Sequence, residues 1–325
     1  RRDVGTGWEF FIGVELLQYE FGCVGSADCQ GKIKSGSGRL RSCWRALTGR
    51  VCAEEGVVMT NWIEGDLQTD HGDFRLYRTG RAGRPSVLLA HGLSDSAKCW
   101  WRVAGALAEQ YDVIAYDARN HGASSTVAGS STGLVDDLAA IIDTAGLGRP
   151  MLIGHSVGAR TMAEFAASHP GAASALVLVD PPWTGNQEHD GTIPDDRREI
   201  VRAWLVSLGE ATEHDLAGLA RQQHPDWPEV EYSTWIESKQ QVRPEAADAL
   251  DSVGWGSVVS ALACRTLLLH GDVDRGGIVD DAVARRVGEL NSLVTCRRID
   301  GAGHNIHREN FIDFIDEVAE FLRST

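Results

Sequence analysis

The chain has 325 residues, 43% of them hydrophobic and 24% charged, with a formal net charge of −15. That length suits one large domain, or a core domain carrying an insertion, and the composition is that of an ordinary globular protein. The negative balance argues against nucleic-acid binding and against docking on an anionic membrane surface, and no apolar run is long enough to span a bilayer.

Residues 1–58 differ from the rest of the chain. They are rich in Gly, Ser, Arg and Cys, lie near charge balance and show no sustained period. The stretch Phe10 to Leu17 is apolar but short, carries Glu15 and precedes no clear small-residue cleavage site, so no signal peptide is expected. Of the seven cysteines, Cys23, Cys29, Cys43 and Cys52 crowd into this region, while Cys99, Cys264 and Cys296 are scattered. The early four lack the paired C-x-x-C spacing of a zinc site. Free thiols in a reducing cytoplasm are expected, with a Cys23–Cys29 disulfide only after oxidation. The first methionine is Met59, and a globular pattern begins directly after it. Residues 1–58 are therefore expected to be an extension that the chemistry does not need.

From Trp62 to Arg78 the pattern predicts two antiparallel strands with a turn near Asp70-His71-Gly72. Ser86-Val87-Leu88-Leu89-Ala90 is a buried strand ending in His91-Gly92-Leu93-Ser94. A helix follows over about Lys98 to Glu109, with Trp100, Val103, Ala104 and Leu107 on one face. Val113 to Tyr116 is the next strand, Gly133 to Ala145 the next helix, and Met151-Leu152-Ile153 a third buried strand. Ala175 to Asp180 is another. Strands alternating with helices, several apolar on both faces, predict a mostly parallel sheet covered by helices.

After Asp180-Pro181-Pro182-Trp183 the rhythm breaks. Residues 184–260 are polar and helical in pattern, hold no clear strand, and read as an inserted helical cap over the sheet's active edge. Trp204, Trp227, Trp235 and Trp255 lie in it. Each is expected in the cap core, except that one or two aromatics line an apolar pocket; Trp183 and Trp204 are the candidates for substrate contact. The sheet resumes at Thr266-Leu267-Leu268-Leu269. It is followed by a helix near Val279 to Leu290, a last strand Cys296 to Asp300, and an amphipathic helix with Phe311, Phe314, Ile315, Val318 and Leu322 on one stripe.

The stretch that carries chemistry is Gly154-His155-Ser156-Val157-Gly158, a Gly-x-Ser-x-Gly between a strand and a helix. The glycines permit a sharp turn that pushes the serine into a strained, exposed position. The helix start sets free N–H groups and partial positive charge beside it. A serine hydroxyl is a weak nucleophile at neutral pH and needs a base, which in turn needs an acid to fix its tautomer. Asp274 and His304, each just after a later strand, supply these in the order Ser, Asp, His. Asp274 is preferred over Asp272, which reads as a turn-former, and His304 over His307, which reads as a surface residue. His91, His121 and His155 lie inside glycine motifs and read as hydrogen-bonders for those turns. The backbone N–H groups of Val157 and Leu93 are the expected oxyanion donors.

These residues resemble the α/β-hydrolase superfamily. The motifs that carry the resemblance are His91-Gly92, Asp117-Ala118-Arg119-Asn120-His121-Gly122-Ala123-Ser124, the Gly154–Gly158 elbow, Gly271-Asp272-Val273-Asp274 and Gly303-His304. The resemblance implies an α/β fold with a mostly parallel eight-stranded sheet flanked by helices, a helical cap after the sixth strand, and no cofactor or metal. Epoxide hydrolases and haloalkane dehalogenases are similar but carry an aspartate where Ser156 stands, and the epoxide hydrolases' His-Gly-x-Pro has Ser94 in place of its proline. The Gly-Gly-rich oxyanion loop of the hormone-sensitive-lipase group is absent, and Ala159 replaces the usual second glycine after the elbow.

The expected activity is hydrolysis of small or medium carboxylic esters through an acyl-enzyme, with a small-molecule substrate. The same triad also serves lactone, amide and carbon–carbon hydrolases. In the last of these, arginines such as Arg160, Arg197, Arg198 and Arg202 would hold a substrate carboxylate. A receptor-like protein that uses the pocket only to bind is the alternative from outside enzymology.

Overall fold

The computed structural model describes residues 62–79, 83–126 and 132–324. The readings made for residues 1–58, the four early cysteines included, lie outside the described residues. Strands β1 (Ile63–Thr69) and β2 (Gly72–Arg78) form the expected hairpin, with Thr69 opposite Gly72. The sheet continues through β3 (Ser86–Ala90), β4 (Asp112–Tyr116), β5 (Met151–His155) and β6 (Ala175–Val179). After an insertion carrying the short pair β7 (Asp190–Gly191) and β8 (Ser252–Val253), it ends with β9 (Arg265–His270) and β10 (Val294–Arg298).

The eight long strands lie in the order β1-β2-β4-β3-β5-β6-β9-β10. β2 meets β4 antiparallel, and every pairing from β4 to β10 is parallel. The apolar runs of β3 to β6 and β9 follow from this, because a parallel sheet is covered on both faces. Alternate residues feed two separate cores. Leu88, Ile114, Leu152, Leu176, Leu178 and Leu268 face one way. Val87, Leu89, Val113, Ile153, Val177 and Leu269 face the other.

The first core is closed by α2 (Thr132–Thr144), α3 (Val157–Ser168) and α8 (Asp281–Leu290). The second is closed by α1 (Trp101–Leu107), which follows a 3-10 turn at Ala97–Trp100, and by α10 (Phe311–Arg323). In α10 the buried stripe is Phe311, Phe314, Val318, Phe321 and Leu322, with Ile315 only partly covered. The last strand begins two residues earlier than the sequence pattern suggested, because Val294 and Thr295 pair with Thr266 and Leu267 of β9.

Between β6 and β9 come α4 (Asp195–Glu210), α5 (Glu213–Gln223), α6 (Glu229–Gln241) and α7 (Trp255–Ala261). A reciprocal capping box, Thr212 with Asp215, starts α5. Helices α4 to α6 build a third apolar cluster from Val201, Trp204, Leu205, Leu216 and Trp235. Leu93 of the loop after β3, Leu134 of α2 and Val157 at the start of α3 join it. Helix α7 behaves differently: Trp255, Val258 and Val259 pack in the first core with Trp183.

The contact between α3 and β3 is unusually close. A Cβ on Gly158 would lie 2.5 Å from the carbonyl oxygens of both Ala90 and His91, and one on Gly154 would lie 2.6 Å from the Ala159 nitrogen. Both glycines of the elbow are thus required by backbone approach. Gly158→Ala is expected to destabilise the fold by about 1–3 kcal/mol, read as a lower denaturant midpoint. An unchanged midpoint would contradict this packing.

Candidate active site

Ser156 sits at the turn from β5 into α3 with φ 53° and ψ −121°. It is one of three described non-glycine residues at positive φ, the others being Asn120 and Asp180. Such strain persists only where surrounding structure over-determines it. Here the Ser156 N–H donates to the Val179 carbonyl at 2.9 Å, and the Ser156 carbonyl accepts from the Arg160 N–H at 3.0 Å. Ser156 is 1% exposed, and its hydroxyl has no hydrogen-bond partner among the described residues. The Ser156 hydroxyl is therefore not bonded to His304 in this structure.

His304 stands on the loop between β10 and the short helix α9 (Ile306–Glu309). Its Nδ1 donates to Asp180 Oδ2 at 2.7 Å. Asp180 is fully buried, and its carboxylate also accepts from the N–H groups of Ile278 at 2.9 Å and Val279 at 3.1 Å. An anion is stabilised by such donors. It holds the ring with Nδ1 protonated and leaves Nε2 as the basic nitrogen.

This corrects the expected acid. Asp274 lies exposed in a 3-10 turn at Val273–Arg275, and the carboxylate on His304 comes from the end of β6, the strand beside the elbow strand. The physical reason is how Asp180 is held: its N–H is fixed to the Leu269 carbonyl at 2.8 Å, and the Ile278 and Val279 N–H groups fix its carboxylate toward the ring, while Asp274 stays exposed. Asp272 accepts from the Gly301 N–H at 2.7 Å and so shapes the β9 and β10 exits. The missed signal was a lone carboxylate closing a wholly apolar strand just before Pro181-Pro182.

Two backbone N–H groups were expected to face the reacting oxygen. Val157 opens α3, so the helix ladder offers its N–H no acceptor. Leu93 is buried in the same apolar cluster as Val157. Its loop is fixed from the core. His91 Nε2 accepts from the Ala118 N–H at 3.0 Å, so Nδ1 must donate to the Gly92 carbonyl at 2.8 Å. The His121 ring lies between the Arg119 and Leu93 carbonyls. Beside both residues is a cavity of about 20 Å³, lined by Leu93, Tyr116, Leu134, Val157, Thr161 and Ala249, room for about one water.

His307 is not on the surface. It is 1% exposed, its ring lies 4.6 Å from Trp100 and 4.8 Å from His155, and neither ring nitrogen has a partner among the described residues. His155 donates from Nε2 to the His304 carbonyl at 3.0 Å. Burial holds both His155 and His307 well below the ordinary histidine range.

For His307 the cause after burial is the Arg308 guanidinium; Asp95 opposes it, and His304 and Arg102 add to it. In the unfolded chain the ring takes a proton near pH 6.5. Below that pH the unfolded state binds the extra proton, so this group costs stability as pH falls from about 6.5 toward 5. His307→Leu is expected to narrow the gap in Tm between pH 7.5 and pH 5. A gap as wide as the wild type's would contradict the reading.

Three of the four arginines considered for a substrate carboxylate, Arg160, Arg198 and Arg202, are engaged elsewhere. Arg160 is buried and donates to the Leu250 carbonyl at 2.7 Å and to the Ala249 carbonyl. Arg198 pairs with Asp251 at 2.7 Å, and Arg202 pairs with Asp248. They tie the insertion together. Trp204 lies in the cluster that holds Leu93 and Val157. The Trp183 ring stacks on Trp255 at 6.0 Å in the first core.

The ligand atoms of Asp95, Cys99 and His307 fall within 4.8 Å of one another. Both Asp95 oxygens, however, accept from Arg308, at 2.7 and 3.1 Å. That fixed cation makes the group a buried ion pair and a poor seat for a metal. Cys99, Cys264 and Cys296 are free thiols. Among the described residues no helix is long and apolar enough to cross a membrane.

The family described as the alpha/beta hydrolase fold matches residues 85–311. The chain belongs to the α/β-hydrolase family. Lipase LipV of Mycobacterium tuberculosis is 36% identical over 136 residues, 42% of this chain and 49% of that protein. Other curated mycobacterial and phage relatives are matched over 33% to 47% of their length, so the chain spans half or less of each of these. N-formylmaleamate deformylase of Pseudomonas putida is matched more fully, 26% identical over 81% of this chain and 98% of that protein. Among solved structures, carboxylesterase CesB from Bacillus subtilis superposes with a TM-score of 0.67 at 16% identity, covering 82% of this chain and 93% of the other. That likeness concerns the fold.

Proposed function

We propose that this α/β-hydrolase is a serine hydrolase that cleaves carboxylic esters with short acyl groups through an acyl-enzyme. The observation that carries the reading is the Asp180–His304 hydrogen bond beside the strained Ser156. Ser156 Oγ attacks the carbonyl carbon while His304 Nε2 takes its proton. The carbonyl electron pair moves to oxygen, which the Leu93 and Val157 N–H groups stabilise. The imidazolium, held by Asp180, then protonates the leaving alkoxide. Water repeats the sequence and releases the acid.

The small, largely apolar cavity beside Leu93 and Val157 favours short over long acyl groups. In this reading α4 to α6 form a cap over the site and Trp204 contacts substrate, while Trp183 supports the floor from its stack on Trp255. The substrate is a small molecule, and the free thiols favour a reducing compartment such as the cytoplasm. One observation favours a second bond type. The deformylase relative, matched along 98% of its length, makes a small amide the alternative.

The test is a panel of p-nitrophenyl esters from acetate to decanoate, with an N-formyl amide beside it. Acetate and butyrate are expected to be turned over fastest. Turnover of the amide alone would select the second bond type, and no turnover of either by folded protein would overturn the hydrolase reading.

A further inference from the structure

We propose that Lys239, on the insertion helix α6, is a positioning residue for the oxyanion loop, so that the Leu93 donor reaches its working orientation only while α6 is docked. The inference rests on the serine-hydrolase reading and adds a part to that site.

The loop from His91 to Ser96 is held from two sides. The core side fixes its first half, through His91 to the Gly92 carbonyl and His121 to the Leu93 carbonyl. The second half is held from α6. Lys239 Nζ donates to the Ser94 carbonyl at 2.9 Å and to Ser94 Oγ at 2.7 Å. On the next residue, Asp95 accepts both Arg308 bonds, and Arg308 Nε reaches Glu231 of α6 at 3.3 Å. Arg102 completes the link, 3.4 Å from the same Glu231. Glu231, Trp235 and Lys239 recur every four residues and so share one face of α6.

Lys239 is 3% exposed, with its ammonium 4.6 Å from the Trp235 ring centroid. Lysine is almost never buried this completely without a compensating role. Its two bonds go to the residue immediately after the proposed donor. The Leu93 N–H shares its peptide with the Gly92 carbonyl, which accepts from the Asp95 N–H at 3.2 Å as well as from His91. The Asp95 N–H in turn shares its peptide with the Ser94 carbonyl that Lys239 holds, so the lysine acts on the donor's plane through this turn. A small error in donor placement weakens the transition state far more than the bound ester, because charge on the oxygen develops only as the bond forms.

A purely structural tie between helix and core would lower stability and leave the split between kcat and KM alone. The experiment compares wild type, Lys239→Met and Lys239→Arg in the full chain, using a short p-nitrophenyl ester and a trifluoromethyl ketone. The ketone carbon accepts Ser156 Oγ, the serine proton passes to His304, and the carbonyl pair becomes an oxyanion at the Leu93 and Val157 N–H groups. Lys239→Met is expected to lose about ten- to a hundredfold in kcat, with little change in KM and an equal loss in ketone affinity. Lys239→Arg is expected to recover part of both.

Unchanged kcat and ketone affinity in Lys239→Met would overturn the proposal, as would a loss carried by KM alone. If that variant does not fold, Ser94→Ala decides, because it removes one of the two acceptors. A smaller loss of the same kind supports the role, and wild-type kinetics overturn it. A wild-type protein that forms no ketone adduct overturns the serine reading itself. A wild-type adduct with undiminished binding in Lys239→Met overturns only the positioning role.

Discussion

Replacing Asp180 with asparagine is expected to lower kcat on a short ester about 10⁴-fold, the size of the same exchange in serine proteases. The reason is geometric. Asp180 accepts from three donors, the N–H groups of Ile278 and Val279 and Nδ1 of His304. An asparagine has one acceptor oxygen, so its amide nitrogen must face either backbone N–H groups or the histidine. Turning the amide toward His304 favours the tautomer with the proton on Nε2, which cannot accept a proton from Ser156. Asp274→Asn, on an exposed turn, is expected to stay within about twofold of wild type. Steady-state kinetics on the two variants separates the two acids. A large loss at Asp274 with little at Asp180 would reverse the assignment.

Removing the hydroxyl of Ser156, the proposed nucleophile, has the larger effect. Ser156→Ala is expected to cost about 10⁶-fold in kcat, because the triad acts as a unit and the residual rate comes from binding and the oxyanion donors. The same variant is expected to fold at least as stably as wild type. The Ser156 hydroxyl is buried without a partner, and leaving such a group unsatisfied costs about 1–3 kcal/mol. Alanine keeps the strained backbone but removes that cost, so Tm is expected to rise slightly. A dead variant with a lowered Tm would point to a structural role for the hydroxyl.

Much of this arrangement was legible in the chain. The apolar runs of β3 to β6 and β9 located the parallel sheet, because strands buried on both faces carry no polar alternation. The Gly-x-Ser-x-Gly between strand and helix located the elbow, and the close approach at Gly158 is the physical reason for its second glycine. The position of His304 on the loop after the last strand was legible. Its carboxylate partner was not. Asp180 and Asp274 both follow strands, and both fit the order Ser, Asp, His. Asp180 meets the histidine because the N–H groups of Ile278 and Val279 hold its carboxylate there, contacts between residues remote in the chain that local sequence does not write.

His307 was misread for a related reason. Its burial depends on Trp100 and Phe314, remote in the chain or on the next helix. The polar look of residues 184–260 likewise concealed Glu231 and Lys239, whose charges are turned inward toward Arg308 and Ser94. Charged helix faces usually read as solvated, and the exception is visible only once the partner surface is known.

The most direct measurement is the intact mass of the protein after reaction with a fluorophosphonate, followed by peptide mapping. One adduct per chain on Ser156, lost in Ser156→Ala and formed more slowly in Asp180→Asn, is the result this account predicts. A folded protein that takes up no phosphonate, or carries it on another residue, would contradict it.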